Sequence, residues 1–154
     1  KVYRAKSKRG KYELLKITAA LSYSDSSIVG GQNYYYKVTA YYKSGSTTIN
    51  GRASDVVLQV GTLKKVSLRV KNKKKSTASL SWKKADGAKK YQIYRATRKK
   101  GKYSKITTTK KLTYEDTSLS KNKTYYYKVR AYYVKAGKNI YGSYSNVKSV
   151  KITR

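Results

Sequence analysis

The chain has no cysteine, histidine, methionine, phenylalanine or proline. Without histidine and cysteine, zinc sites of the usual kind and the Ser-His-Asp and Cys-His nucleophilic arrangements are excluded. Lack of cysteine suits an exported protein that does without disulfides and a cytosolic one equally. Acid is nearly absent as well: the carboxylates are Glu13, Asp25, Asp55, Asp86, Glu115 and Asp116. Glu115 and Asp116 adjoin, but neighbours on a strand point to opposite faces, so neither a carboxylate dyad nor a calcium cage is legible. No apolar run approaches the roughly 18 to 20 residues needed to cross a bilayer, and Lys1 opens no signal-peptide pattern. The expectation is therefore no cofactor, no metal, no transmembrane segment and no enzyme within these 154 residues. Having no initiator methionine, the chain reads as a window on something longer.

What is abundant is lysine and tyrosine. Lysine plus arginine number 38 against 6 acids, a net charge of +32, and tyrosine occurs 19 times. Tyrosine must supply most of the aromatic bulk, with its hydroxyl at the wet rim of a core. A charge this large attracts polyanions through a field that salt screens over about 8 to 10 Å. The partners it suggests are nucleic acid, anionic cell-wall polymer, sulfated or acidic glycan and an anionic membrane surface. The plainer alternative is that the lysines solvate a two-faced β protein and keep its edges from aggregating.

One stretch occurs twice. Tyr34-Tyr35-Tyr36-Lys37-Val38-Thr39-Ala40-Tyr41-Tyr42 returns as Tyr125-Tyr126-Tyr127-Lys128-Val129-Arg130-Ala131-Tyr132-Tyr133. Each copy alternates with a period of two: Tyr125, Tyr127, Val129, Ala131 and Tyr133 fall on one side, Tyr126, Lys128, Arg130 and Tyr132 on the other, as in a half-buried central strand. A single offset of 91 residues also matches Tyr3 to Tyr94, Arg4 to Arg95, Gly10 to Gly101, Tyr12 to Tyr103, Leu21 to Leu112, Asp25 to Asp116, Gly51 to Gly142 and Ser54 to Ser145. Duplication of a unit of about ninety residues follows.

The second copy is complete and sets the element order. Short strands are expected at 66–70, 77–83, 91–96, 103–108 and 113–116, then the tyrosine strand, then a last strand from about 141 to 152. Between them lie a basic turn at 72–76, a turn at Ala85-Asp86-Gly87-Ala88, a Lys-Lys-Gly turn at 99–101 and a loop around Ala136-Gly137-Lys138-Asn139. Seven short strands with no helical periodicity predict an antiparallel sandwich. Trp82, Tyr91-Gln92-Ile93-Tyr94-Arg95, Leu119 six residues before Tyr125, and Tyr144-Ser145-Asn146-Val147 resemble a fibronectin type III domain. The Leu119/Tyr125 pair matches that family's tyrosine corner, whose hydroxyl bonds to backbone at the turn before the sixth strand, and Ile28/Tyr34 repeats it. The wording is similar to tandem lysine-rich type III repeats of Gram-positive bacterial surface and secreted proteins, with the absence of proline as a departure. The resemblance implies an all-β fold of two type III-like sandwiches in tandem, at 1–61 and 62–154, and an extracellular or bacterial cell-surface location.

The first copy is incomplete, because residue 1 aligns with Gln92 and counterparts of 66–91, with two strands and the tryptophan, are missing. A sandwich without those strands exposes one face of its core. They are expected upstream in the same polypeptide, the preferred reading because repeats continue in cis, or from a neighbouring chain by strand addition. The short linker around Gly61-Thr62-Leu63 predicts limited bending between adjacent domains.

Three strings mislead. Gly30-Gly31-Gln32 is the tripeptide of peptide-release factors but falls in the tyrosine-corner turn. Residues 137–143 have phosphate-loop glycine spacing without its lysine or helix. Asn122-Lys123-Thr124 is a glycosylation sequon that in a bacterial protein is an accident. Asp25 and Asp116, at one repeat position, read as structural turn residues. A candidate polyanion or glycan face remains: Tyr94, Tyr126, Lys128, Arg130 and Tyr132, with Tyr3, Tyr35, Lys37 and Tyr41 in the first copy. Rings interleaved with cations can stack on sugars or bases while the charges hold phosphate or carboxylate, yet such cross-strand pairs also stabilise an ordinary exposed sheet. The leading expectation is a non-catalytic extracellular spacer or stalk with affinity for anionic surfaces; the alternative is a specific polyanion- or glycan-binding module. Nucleic acid ranks below both, since the charge is spread over every turn and no recognition module is present.

Overall fold

A computed structural model describes residues 1–73 and 76–153, and all of its described elements are β-strands. The chain divides into two compact units, Lys1–Thr62 and a second beginning at Leu63. Among the described residues no helix is long and apolar enough to cross a membrane.

The first unit is one antiparallel sheet. Its strands are β1 (Val2–Ala5), β2 (Glu13–Lys16), β3 (Asn33–Ser44), β4 (Thr47–Ala53) and β5 (Val57–Val60), in the order β2-β1-β3-β4 with β5 also on β3. The tyrosine stretch is the central strand β3, as the alternation predicts, because a strand of half-apolar residues is best placed with neighbours on both edges. Register places Val2 opposite Val38 and Arg4 opposite Tyr36 on one face, and Tyr3 opposite Lys37 on the other.

The second unit contains β6 (Leu68–Lys73), β7 (Thr77–Trp82), β8 (Lys90–Ala96), β9 (Ser104–Thr109), β10 (Thr113–Asp116), β11 (Thr124–Lys135), β12 (Lys138–Tyr141) and β13 (Lys148–Lys151). They form two sheets, β10-β7-β6 and β12-β11-β8-β9, with β13 also on β11. Between them lies one core containing Leu68, Leu80, Trp82, Ile93, Leu119, Tyr125, Tyr127, Val129 and Tyr133. Of the last strand expected at 141–152, only Tyr141, which ends β12, and Lys148–Lys151, which form β13, are in strands, and Lys138 and Asn139 of the expected loop begin β12. Ser145 causes the break: its hydroxyl accepts from the Val129 N–H at 3.0 Å while its own N–H donates to the Val129 carbonyl at 2.7 Å, so a side chain replaces one rung of the ladder. Ser54 does the same at Val38. The basic turn expected at 72–76 lies partly outside the described residues, and Asn72 and Lys73 belong to β6.

Both tyrosine corners form. The Ser120 N–H donates to the Tyr125 hydroxyl at 3.1 Å and the Val29 N–H to the Tyr34 hydroxyl at 3.0 Å. The corner turn takes left-handed backbone at matched positions, Gly31 (φ 84) and Asn122 (φ 64), the residue types that tolerate it best. Gly-Gly-Gln and the sequon thus occupy the equivalent corner turn in each copy.

The units differ in what covers the inner face of the central strand. Val129 is 0% exposed and its counterpart Val38 is 49% exposed; Tyr133 is 7% and Tyr42 61% exposed. Segment 22–25, which aligns with β10, forms no strand. In the second unit β10 pairs with β7, and the first copy has no β7 to pair with. Truncation should therefore weigh differently in the two copies. Val129→Ala should destabilise the second unit by about 2 kcal/mol, read as a lower denaturation midpoint by the fluorescence of Trp82, the chain's one tryptophan. Val38→Ala should cost under about 1 kcal/mol, read by amide exchange in β3; equal costs would contradict the difference in packing.

Candidate polyanion or glycan face

Residues facing away from the core on β8 and β11 come together as a ladder of rings and cations. Lys128 stands opposite Tyr94, and Arg130 opposite Gln92. The Arg130 guanidinium donates from Nε to Gln92 Oε1 at 3.0 Å and from Nη2 to the Tyr94 hydroxyl at 2.9 Å. It also lies over three rings, 3.8 Å from the centroid of Tyr141, 4.9 Å from Tyr144 and 5.5 Å from Tyr94. Lys128 Nζ is 4.1 Å from Tyr144 and 4.5 Å from Tyr103. Tyr94 and Tyr144 meet edge to face at 5.3 Å. Each cation–π contact contributes roughly 0.5 to 1 kcal/mol at an exposed site, so the cations are held down on the sheet.

Of the residues the sequence picked out, Tyr94, Lys128 and Arg130 are therefore neighbours. Tyr126 lies on the same face, half-buried, and its proximity adds to burial in raising the Tyr103 hydroxyl above its ordinary pKa. Tyr132 shares the face but is only 7% exposed, covered by Tyr141 at 5.4 Å between centroids. It is a packed residue that offers little surface to a ligand. Gln92, Tyr103, Tyr141 and Tyr144 were not foreseen, since their place beside Arg130 and Lys128 depends on strand pairing. In the first unit Lys37 lies 4.6 Å from Tyr12 and 5.9 Å from Tyr3, and Lys1 lies 4.5 Å from Tyr41. Tyr35 sits apart, opposite Ala5 and Leu58. The position of Arg130 is Thr39 there and that of Tyr144 is Ala53, so the first unit has a shorter ladder.

The two recurrent aspartates do more than shape a turn. Asp116 accepts from Arg95 at 3.0 Å and from the Tyr127 hydroxyl at 2.7 Å, inside the core. Asp25 likewise accepts from Arg4 and from Tyr36, both at 2.7 Å, and caps its own turn through the Ser27 N–H at 2.9 Å. The signal for this was available: arginine, aspartate and tyrosine recur together at the 91-residue offset. Burial opposes ionisation of Asp25, but hydrogen bonds from Ser27, Tyr36 and Arg4 outweigh it and hold the carboxyl well below the usual carboxylate range. Burial, then the bond to Asp25, push the Tyr36 hydroxyl up to about 12. Burial and Asp116 raise Tyr127 still further. Among the described residues no cluster of acids could hold a metal ion.

No protein-family model matches the chain, and neither does any curated protein. Solved structures do. The sixth fibronectin type III domain of human fibronectin type III domain containing protein 3 is similar at a TM-score of 0.51 and 18% identity, over 62% of this chain and 90% of that one. The structure named FN3tt mut is similar at 0.50 and 27%, over 60% and 100%. A β-1,2-glucanase from Parabacteroides distasonis is similar at 0.50 and 22%, over 70% of this chain but 16% of the enzyme, a likeness of fold alone. The fold is all-β, with two fibronectin type III-like antiparallel units in tandem, the first lacking its first two strands.

The Asp25 group predicts a stability window. A depressed carboxyl stabilises the folded unit above its unfolded pKa, near 4, and that contribution is lost as pH falls through the folded value. A raised Tyr36 stabilises below about pH 10 and loses that contribution as pH rises through about 12. Amide protection in β1 and β3, taken relative to the intrinsic exchange rate at each pH, should be greatest between those limits, and Asp25→Asn should flatten the acid limb. In the ladder, a double-mutant cycle on Arg130→Ala and Tyr141→Ala should give a coupling of about 0.5 to 1 kcal/mol by chemical denaturation; zero coupling would mean the stack carries no energy.

Proposed function

We propose that this chain is a non-catalytic repeat of a bacterial surface protein or filament, a spacer or stalk segment that also clings to anionic surfaces through long-range attraction. Its partners on this reading are adjacent repeats and an anionic cell-wall polymer or glycan. What supports it most is the division among the cations. Lys37, Lys128 and Arg130 lie flat on tyrosine rings, whereas turn lysines such as Lys99, Lys100, Lys121 and Lys123 are exposed. Few acids are available to neutralise them: among the described residues Arg4 pairs with Asp25, Lys73 with Glu115 and Arg95 with Asp116. The exposed charge is diffuse, spread over turns and strands alike, and has no fixed geometry that would choose among anions.

Binding to heparin, polyglutamate and a teichoic-acid-like polyphosphate should therefore fall steeply with salt and rank by charge density alone. Tyr94→Ala with Tyr126→Ala should leave it unchanged, while charge reversal at Lys99, Lys100, Lys121 and Lys123 should weaken it for all three. Salt-resistant preference for one glycan, lost in the tyrosine pair, would overturn diffuse attraction in favour of a site on the ladder.

A further inference from the structure

Residues 65–73 alternate in chemistry. Val66, Leu68 and Val70 pack on the core of the second unit, while Lys65, Ser67, Arg69, Lys71 and Lys73 are exposed. β6 ends the order β10-β7-β6 and is bonded along one edge to β7. Along its other edge runs a groove of about 630 Å³, lined by residues 65–71 and, on the far side, by Asn146 and Lys148. The chain from Asn146 to Thr153, which includes β13, follows that far side at a constant offset. Lys65 bonds Asn146 and Asn72 bonds Thr153, each pair 81 residues apart, while the ladder bonds of β13 go to β11. Side chains thus bridge the groove at its two ends, and its length is edge backbone beside a row of cations. We propose that the edge of β6 turned away from β7 is a docking site for an extended acidic peptide segment, with carboxylates at alternate positions, that adds to β6 as a strand.

The chemistry of the groove selects that occupant. A strand edge presents N–H and C=O groups in alternation, and a peptide answers both, whereas a phosphate or uronate polymer offers the carbonyls little to accept. Arg69, Lys71 and Lys73 stand two residues apart, about 7 Å along the strand, which is the spacing of same-face side chains on any strand paired beside them. The same face already shows the contact in miniature: Lys73 reaches Glu115 on β10, two strands away. Arg69 and Lys71 form no ion pair among the described residues, and an added strand would set carboxylates directly beside them. A second copy of β6 is the wrong partner, because it lays cation against cation, and edge lysines serve to prevent that pairing. A chain with a carboxylate at every position is wrong as well. Half of its charges would turn to the side of Leu68 and Val70, where burial without a partner is costly. The cations alone rank anions by charge density; the backbone edge beside them adds the requirement for an alternating strand.

The test adds to the 154-residue chain a capped synthetic peptide of about eight residues alternating glutamate and threonine, long enough to span the groove. Salt is held at about 0.15 M to screen long-range attraction. The expected result is saturable binding, with NMR amide shifts confined to residues 65–73 and 146–151. Amide exchange in β6 should slow at least about tenfold at saturation. Methylating the backbone nitrogens of the peptide removes its strand donors, keeps every carboxylate, and should weaken binding at least about tenfold. Arg69→Glu with Lys71→Glu should do the same. Charge reversal at Lys99, Lys100, Lys121 and Lys123 removes more positive charge, yet should change peptide affinity less than about threefold, because those lysines act only through a screened field. Equal binding by the methylated peptide overturns the proposal, as does tighter binding by an all-glutamate peptide of the same length, and diffuse attraction alone then remains. Shifts centred on any other strand edge overturn it too. The turn lysines carry the polyanion test above and the β6 cations carry this one, so either reading can fail without the other.

Discussion

An alternating strand has one apolar face, and that face must be covered. In the second unit the inward side of β11, from Tyr125 to Tyr133, lies under the β10-β7-β6 sheet and joins a single core. In the first unit the same residues run through β3 with the same neighbours on the edges, yet Val38 and Tyr42 are open. Hydrogen-bonded pairing within a sheet and burial between sheets are therefore separable here. The ladder of β1, β3, β4 and β5 is made within one sheet. Segment 22–25 shows the limit of that independence, since its counterpart β10 belongs to the opposite layer and has no other source of pairing.

The same logic explains how so basic a chain folds. Charges that must approach the core are neutralised in fixed groups: Arg95 with Asp116 and Tyr127, and Arg4 with Asp25 and Tyr36. The aspartates are nearly covered while their arginines are about a quarter to a third exposed, so removing an arginine leaves a poorly solvated carboxylate at a cost that solvent access moderates. Lys37, Lys128 and Arg130 instead meet tyrosine rings, the faces of Tyr144, Tyr141, Tyr103 and Tyr12 taking the role of a counter-charge. Tyrosine is suited to both positions: its body fills a core or covers a lysine, and its hydroxyl reaches a carboxylate or a turn N–H. A chain without phenylalanine can thus have one residue type serve as core, cap and counter-surface. The remaining lysines lie exposed on turns and at strand positions such as Lys71, Lys90, Lys105 and Lys151, where they raise the field around the molecule and repel other copies.

How much of this was legible before any coordinates differs by residue. Alternation in β3 and β11, the corner pairs Leu119/Tyr125 and Ile28/Tyr34, and the turns at Gly87 and Gly101 are local or fixed-spacing features, and sequence is sufficient for them. Tyr94, Lys128 and Arg130 were also within reach, since alternation places them outward. Their partners were not. Tyr141 and Tyr144 reach Arg130 only because β12 and the segment after it pair back on β11, and Tyr132 is lost to a ligand only because Tyr141 lies over it. The break between β12 and β13 is of the same kind, set by a serine hydroxyl meeting a backbone N–H sixteen residues earlier in the chain.

Sequence alone determined the duplication, the two-residue period, the class of fold and the exclusion of histidine- and cysteine-based chemistry, because each follows from residue identity and spacing along the chain. Tertiary structure decided which cations are held on rings, which tyrosines supply those rings, and that the recurrent aspartates join an arginine to a tyrosine. Those outcomes depend on what lies across a sheet or on the next strand, and two copies with nearly the same words can differ in them because their surroundings differ.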